Sequence, residues 1–335
     1  MIQNGTRARF CAFAETAFAA ALLLQALPVA AQGWKPDRNV EIVVWASPGG
    51  GLDKPARAIQ RIAQEKRLMD VPMSVVNKPG GSGNIGWVYM NQNTGNGHYL
   101  SLTGTVLITN LINGVGTLAY TDATPVALLA HDYLIFAVKN DSPIKTGRDL
   151  IERLKKDPAS VSLGITNRGG AGHIAMGTAL RGTGVDAKRL KIVVFKSGAE
   201  GVTALLGGHL DAIISVVPAL NAHQESGGIR VLAISAPARL EGAFAKAPTW
   251  KEQGVDAVSS NWRAVVGPKG MTAPQVAYWD GFFGKLVAQP EWKKDVADSL
   301  QAFVYLPSAE TKKFFDAQNE DLTSALTELG LAKTQ

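Results

Sequence analysis

Two glycine-rich stretches stand where chemistry is expected, each directly after a run of apolar residues. The first, Ser47–Asp53, reads SPGGGLD and follows Val40–Trp45; the second, Asn167–His173, reads NRGGAGH and follows Val161–Ile165. A strand, a turn without side chains and a helix start expose backbone N–H groups beside the positive end of the helix dipole. Such a patch attracts an anion, and a carboxylate suits it as well as a phosphate does.

A third stretch, Gly81–Gly86, fits the dinucleotide-binding pattern G-x-G-x-x-G between a predicted strand and a predicted helix. That pattern also requires an acidic residue about 20 positions further on, which holds the ribose. Neither Asp nor Glu occurs between Asp70 and Asp122. We therefore interpret the stretch as a tight turn or a carboxylate-binding loop, and we expect no cofactor.

Catalytic and metal-binding patterns are incomplete. The nucleophile elbow G-x-S-x-G fails because Asn84 stands where its last glycine should be. The histidines show neither H-E-x-x-H spacing nor a cysteine partner, so we expect no metal site. Three roles stay open. His173 lines a pocket or is structural, Arg168 pairs with a ligand carboxylate or is solvated, and Asp53 caps a helix or binds a ligand ammonium group.

The N-terminal residues have the three parts of a secretory signal peptide. Arg7 and Arg9 are basic, Ala17–Leu27 is apolar, and Val29–Ala31 offers the small residues of a cleavage site. The apolar part is shorter than the roughly 20 residues that span a bilayer. We expect cleavage after residue 31 and a periplasmic location, the alternative being a buried N-terminal helix.

The charge pattern argues against a nucleic-acid partner. The formal net charge is +6, but the basic residues are dispersed among acids and form no stripe interleaved with aromatic side chains. The only cysteine, Cys11, lies in the predicted signal peptide. The remaining chain must therefore be stabilised by core burial rather than by disulfides, which its length permits.

Strands alternate with helices along most of the chain, which predicts an α/β fold with parallel sheets covered on both faces. The glycine loops follow strands, and in such sheets ligands bind at the carboxyl ends of strands. Loops about 120 residues apart therefore predict two doubly wound lobes that face each other across a cleft.

Six stretches in order resemble the substrate-binding proteins of tripartite tricarboxylate transporters, the Bug-type periplasmic receptors. They are PGGGLD from Pro48, VNKPGGSG from Val76, GGAGHIA from Gly169, LLGGHLD from Leu205, RVLAIS from Arg230 and APTWKEQG from Ala247. The resemblance implies a periplasmic binding protein of the Venus flytrap type, which we expect to be a monomer without enzymatic activity. It would close on a small organic carboxylate and deliver it to membrane permease subunits.

The resemblance also implies where the lobes and the hinge lie. The first lobe would comprise residues 32–134 and 236–335, and the second lobe residues 135–235. The hinge would lie near Tyr133–Phe136 and Ser235–Pro237. Backbone N–H groups and ordered waters from loops of both lobes would hold the ligand.

The expected ligand-binding residues come from four loops. They are Ser47, Pro48, Gly49, Gly50, Gly51, Asp53, Gly81, Ser82, Gly83, Asn84, Asn167, Arg168, Gly169, Gly170, Ala171, Gly172, His173, Ser197 and Gly198. Two other functions stay open. The protein would present its ligand to a sensor kinase, or it would be a secreted hydrolase that uses Ser82 or His173.

Overall fold

The computed structural model describes residues 33–49, 51–195 and 197–333; the predicted signal peptide and Gly50 lie outside the described residues. The strands are β1 Val40–Val44, β2 Met73–Asn77, β3 Tyr99–Thr103, β4 Ala123–Lys139, β5 Ser162–Ile165, β6 Lys191–Val194, β7 Ala212–Val216, β8 Ile229–Ile234, β9 Ser260–Pro268 and β10 Ala302–Pro307.

The α-helices are α1 Asp53–Glu65, α2 Asn84–Asn91, α3 Val106–Ile112, α4 Gly147–Lys156, α5 Ala171–Leu180, α6 Gly198–Leu206, α7 Val217–Glu225, α8 Ala273–Ala288, α9 Pro290–Asp298 and α10 Ser308–Glu328. None of these helices combines the length and the apolar character needed to cross a bilayer. Local rules explain where they begin. In α4, the Thr146 hydroxyl accepts the N–H of Asp149, whose carboxylate accepts the N–H of Thr146.

Strand β4 belongs to both halves of the molecule. Its residues 123–133 pair with β9, and residues 127–131 of the same stretch pair with β10. From Leu134 onward the partners are β7 and β8. One continuous strand therefore carries two sets of neighbours, which change between Tyr133 and Leu134.

Each half of the sheet combines parallel and antiparallel strands. In the first half, β2, β1 and β3 are parallel, and β3 pairs with β9 in an antiparallel arrangement. In the second half, β6, β5 and β7 are parallel, and β7 pairs with antiparallel β4. The two-lobed α/β fold confirms the prediction, and the predicted parallel pairing holds within each group of three strands, whereas β4 and β9 add antiparallel pairs. A chain that crosses between halves on β4 and returns on β9 must run in opposite directions in these two strands.

The second half is packed on both faces because successive side chains of β4 alternate. Phe136 lies in one buried cluster with Leu163 and Trp250, whereas Ile135 lies in the other with Phe244. Phe136 and Trp250 meet edge to face, with ring centroids 4.9 Å apart. The segment between β8 and β9, which carries Trp250 and Phe244, therefore packs against the second half of the sheet.

Two elements were not predicted. Helix α7 follows β7 directly, with a proline in its first turn. Strand β10 carries mostly half-buried residues and pairs with β4 through an irregular register. Neither segment shows a clear periodicity of apolar residues, because α7 buries few of its residues and the burial of side chains does not alternate along β10.

Replacing Trp250 by Ala tests this packing. Trp250 is fully buried, so we expect the cavity to lower the free energy of local opening by about 3–5 kcal/mol. Hydrogen exchange followed by mass spectrometry should show faster exchange in α4, β5 and residues 134–139, with β1 to β3 unchanged.

The matched control is Trp262→Ala, because Trp262 is also fully buried but packs on Phe315 of the first half, at a centroid distance of 5.0 Å. It should give the opposite pattern of exchange. If Trp250→Ala instead loosened β1 to β3, the segment between β8 and β9 would have been assigned to the wrong half.

Candidate functional site

The loop after β1 is held by the carboxylate of Asp53. One oxygen accepts the N–H of Gly49 and the Nε–H of Arg57, both at 2.8 Å, and the other accepts the amide of Asn77 at 2.9 Å. Burial alone would raise the pKa of Asp53, but these hydrogen bonds outweigh it and the pKa lies below its ordinary value. The acid organises the loop that precedes its helix, and its oxygens are already occupied by protein donors.

The loop after β2 has an unusual backbone. Gly80, Gly81, Ser82 and Gly83 all have positive φ angles, a conformation that glycine adopts without strain. A Cβ on Gly83 would lie 3.0 Å from the ring of Trp45, so the loop packs closely on the end of β1. Helix α3 also holds this loop, because the side-chain amide of Asn110 donates a hydrogen bond to the carbonyl of Ser82 at 2.9 Å.

The loop after β5 is held by His173. The N–H of Gly169 donates to Nδ1 of the imidazole at 3.1 Å, so the neutral ring carries its proton on Nε2. Burial, and next the positive charge of Arg168, lower the pKa of His173 to about 4. His173 is therefore neutral at physiological pH and supports the loop from beneath.

These loops enclose a cleft between the two halves of the sheet. A cavity of about 290 Å³ is lined by Trp45, Ala46, Leu52, Gly80, Ser82, Gly83, Val106, Thr109, Asn110, Asn113, Val115, Asn167, Arg168, Gly169 and Gly170. An adjoining cavity of about 170 Å³ is lined by Thr105, Val106, Leu134, Thr166, Asn167, Gly170, Ala171, Gly172, Gly198, Ile214, Ser215, Val216, Ala219, Asn261 and Arg263. Because the two share Val106, Asn167 and Gly170, we describe them together as the cleft.

Larger hollows exist elsewhere. A groove of about 630 Å³ lies between α1 and α9, and all of its lining residues belong to the first half. A cavity of about 430 Å³ borders both halves between α5 and α10, but its lining includes the acids Asp256 and Asp321. Each cavity of the cleft is smaller, yet the cleft joins both halves and the glycine loops. Its position and its chemistry, rather than its volume, therefore favour the cleft as the binding site.

The predicted site residues divide into two groups. Ser82, Gly83, Asn167, Arg168, Gly169, Gly170, Ala171, Gly172 and Gly198 line the cleft. Ser47, Pro48, Gly49, Gly51, Gly81, Asn84, Asp53, His173 and Ser197 lie in the same loops but do not line it. Within the second group, Asp53 and His173 hold loops, and the Ser197 hydroxyl accepts the N–H of Glu200 at the start of α6.

Sequence reasoning missed polar residues on α3 and β9. The segment after β3 contributes four polar residues to the cleft, Thr105, Thr109, Asn110 and Asn113. Gly104, which marks a further strand-to-helix turn, was the sequence signal for this segment. Arg263 stands inside the apolar stretch of β9, and a basic residue in a buried strand was the signal that could have revealed it.

The charge of the cleft is one-sided. Arg168 and Arg263 line it, whereas neither Asp nor Glu is among its described lining residues. Two helices also begin at its wall. The N-cap residues of α2 and α5 are Gly83 and Gly170, which offer no side chain to the first N–H groups of their helices. Cations and helix N-termini without a side-chain cap together favour an anionic ligand.

Comparisons with known proteins show the family. Residues 56–331 match the family described as "Tripartite tricarboxylate transporter family receptor". A Cupriavidus necator protein described as "UPF0065 protein in gbd 5'region" is 28% identical over 326 residues, covering 94% of this chain and 95% of its own.

Two solved structures share the fold. A TctC solute-binding protein from Polaromonas, solved with no ligand, has a TM-score of 0.76 and 25% identity, covering 88% of this chain and 100% of its own. The R. palustris protein Rpa4515, solved with adipate, has a TM-score of 0.75 and 23% identity, covering 89% of this chain and 99% of its own.

The neutral state of His173 makes the stability of the second half depend on pH. The pKa is about 4 in the folded protein against an ordinary value of 6.5, so the unfolded chain takes up the proton first. The stabilisation that neutral His173 provides is complete above pH 6.5. It decreases by up to about 3 kcal/mol as the pH falls toward 4.

We expect His173→Gln to reduce this pH dependence, because Gln keeps an acceptor for the N–H of Gly169 but does not titrate. His173→Leu should also reduce it while being less stable than the Gln variant at pH 8. Urea unfolding at pH 8, 6 and 5 measures the difference. An unchanged slope in the Gln variant would show that His173 is not the titrating group.

Proposed function

We propose that this chain, which belongs to the tripartite tricarboxylate transporter receptor family, captures a small organic carboxylate in the periplasm and delivers it to the membrane permease subunits of such a transporter. The observation that carries the proposal is the cleft itself. It joins two halves of the molecule and combines uncapped helix N-termini with arginine side chains and no lining acid. The adipate bound to the R. palustris protein supports a carboxylate as the class of ligand.

Binding would work by closure. The first half supplies the loop after β2, and the second half supplies the loop after β5. A ligand that contacts both loops has more partners in the closed state than in the open state, and this difference in affinity favours closure. The receptor would act as a monomer, since one chain provides both walls of the cleft.

The packing supports a division into two lobes. We place their boundary on β4 between Tyr133 and Leu134, close to the predicted position. We place the return crossing at Ser259–Ser260 rather than at Ser235–Pro237, because Trp250 and Phe244 pack in the second half. The hinge would then lie where β4 changes partners and where β9 begins.

No catalytic step is included in the proposal. Ser82 is exposed on its loop, and none of the hydrogen bonds found among the described residues joins it to a histidine. The imidazole of His173 is buried and accepts a backbone N–H through Nδ1. Neither residue therefore has the nucleophile–base geometry that hydrolysis requires.

Titration calorimetry and thermal unfolding against di- and tricarboxylates, amino acids and aromatic acids test the function. A bound acid at a hundred times its Kd should stabilise the protein by about 2.7 kcal/mol. The ligand should be recovered unchanged after long incubation. Failure of every acid to bind would contradict the proposal, and consumption of the ligand would favour the hydrolase.

A substitution at Gly170 tests the location of the site. A Cβ there would lie 2.8 Å from Cβ of Asn167, so Asn167 must move. This movement would weaken the turn in which the Gly170 N–H donates to the Asn167 carbonyl. We expect Gly170→Ala to lower the affinity by at least about tenfold, or 1.4 kcal/mol. Gly281→Ala on α8 is the control, because nothing lies within 4 Å of its Cβ position. Equal affinity in both variants would place the site elsewhere.

A further inference from the structure

Arg263 is a buried cation on the wall of the cleft. Its side chain is 8% exposed, and it forms an ion pair through Nη2 with Asp132, whose side chain is 2% exposed. The two residues stand on neighbouring strands, where Ala130 of β4 pairs with Arg263 of β9. The pair therefore lies close to the point where β4 changes partners.

The ion pair leaves hydrogen-bonding capacity unused on both sides. Nε of Arg263 and Oδ1 of Asp132 are buried, and neither makes a hydrogen bond among the described residues. A buried pair stabilises a fold only when its remaining donors and acceptors are satisfied. Arg263 also lines the cleft. These observations indicate a guanidinium group that is positioned for a further acceptor.

The guanidinium of Arg263 packs closely against glycine backbone. Nη1 lies 3.3 Å and Nη2 3.4 Å from the positions that a Cβ would take on Gly104 and Gly51. A Cβ on Gly104 would also come within 2.9 Å of the amide oxygen of Asn261. That oxygen instead accepts a hydrogen bond from the Thr105 hydroxyl at 2.7 Å. The two glycines therefore let the loop after β1 and the loop after β3 pack directly on the guanidinium, and Arg263 is reached by a ligand from the 170 Å³ cavity that it lines.

The cleft between Arg263 and the other arginine suits a ligand with two acidic ends. Arg168 lines the 290 Å³ cavity and Arg263 the 170 Å³ cavity, and the two cavities share part of their walls. The wall of the cavity that Arg263 lines has a polar part, which includes Thr105, Ser215 and Asn261, and an apolar part formed by Leu134, Ile214, Val216 and Ala219. Methylene groups fit the apolar part, where hydroxyl or ammonium groups would lose hydration.

We propose that Arg263 binds the second carboxylate of an aliphatic dicarboxylate whose first carboxylate is held by the glycine loops. This inference rests on the proposed function and specifies its class of ligand. In the unliganded protein, Asp132 neutralises the buried guanidinium. In the complex, the second carboxylate takes the open donors of Arg263, and the three groups form a carboxylate–guanidinium–carboxylate arrangement.

The test compares acids of equal length. Titration calorimetry would use succinate, glutarate and adipate, each paired with butyrate, pentanoate or hexanoate. The wild-type protein should prefer at least one diacid over its matched monoacid by about 100-fold, the size expected for a charge-assisted contact. Binding of a monoacid with equal affinity would contradict the role of Arg263 and leave the proposed function intact. Binding of no acid at all would contradict the proposed function itself.

Variants at the pair separate recognition from folding. Arg263→Gln combined with Asp132→Asn removes both charges without leaving one buried alone. It should lower diacid affinity by about 100-fold and change monoacid affinity less than about threefold. Asp132→Asn alone removes the competing carboxylate and should keep or increase diacid affinity. Thermal unfolding and circular dichroism verify that each variant is folded.

Several outcomes would overturn the inference. The double variant could weaken diacids and monoacids equally, which would make the pair purely structural. Asp132→Asn could abolish binding of an amino acid while the diacids do not bind, which would assign Asp132 to a ligand ammonium group. If the double variant does not fold, the single variant Asp132→Asn decides, because reduced diacid affinity in a folded protein contradicts the proposed competition.

Discussion

The architecture depends on the continuity of β4. A strand of 17 residues pairs with β9 and β10 over its first part and with β7 and β8 over its second. Its backbone groups are satisfied in both halves, so neither half has an unpaired edge at the crossing. The N–H of Ser235 donates to the carbonyl of Leu134 at 2.9 Å, and the N–H of Ser259 donates to the carbonyl of Ser235 at 3.0 Å. The crossing segments are thus joined by hydrogen bonds where the partners change.

This constraint also determines what reaches the cleft. Strands β1, β2 and β3 end near the crossing on one side, and β5 ends there on the other, so their loops face each other. The return strand β9 brings Asn261 and Arg263 to the same place. Backbone N–H groups therefore come from strand ends, and the side-chain cation comes from a strand interior.

The sequence was informative where chemistry is local. Glycine runs such as Gly80–Gly83 require positive φ, so their turns and the strands before them could be predicted. The sequence predicts two separate strands over Val126–Leu129 and Leu134–Val138. Their union into β4 could not be predicted, because only the pairing with β9 and β7 shows that the strand is continuous. Arg263 was missed for a related reason. Its importance arises from Asp132, which is 131 residues distant in the chain and adjacent only in the folded sheet.

Two acid–arginine pairs lie in the elements that form the cleft, and they differ in how completely they are satisfied. Asp53 receives hydrogen bonds from Gly49, Arg57 and Asn77, and its partner Arg57 is half exposed to solvent. This pair is complete without a ligand and serves to shape a loop. Asp132 and Arg263 are both buried, yet each retains a polar atom with no hydrogen bond among the described residues. Because an unsatisfied buried polar atom is destabilising by roughly 1–3 kcal/mol, a ligand that satisfies it gains affinity that the first pair cannot provide.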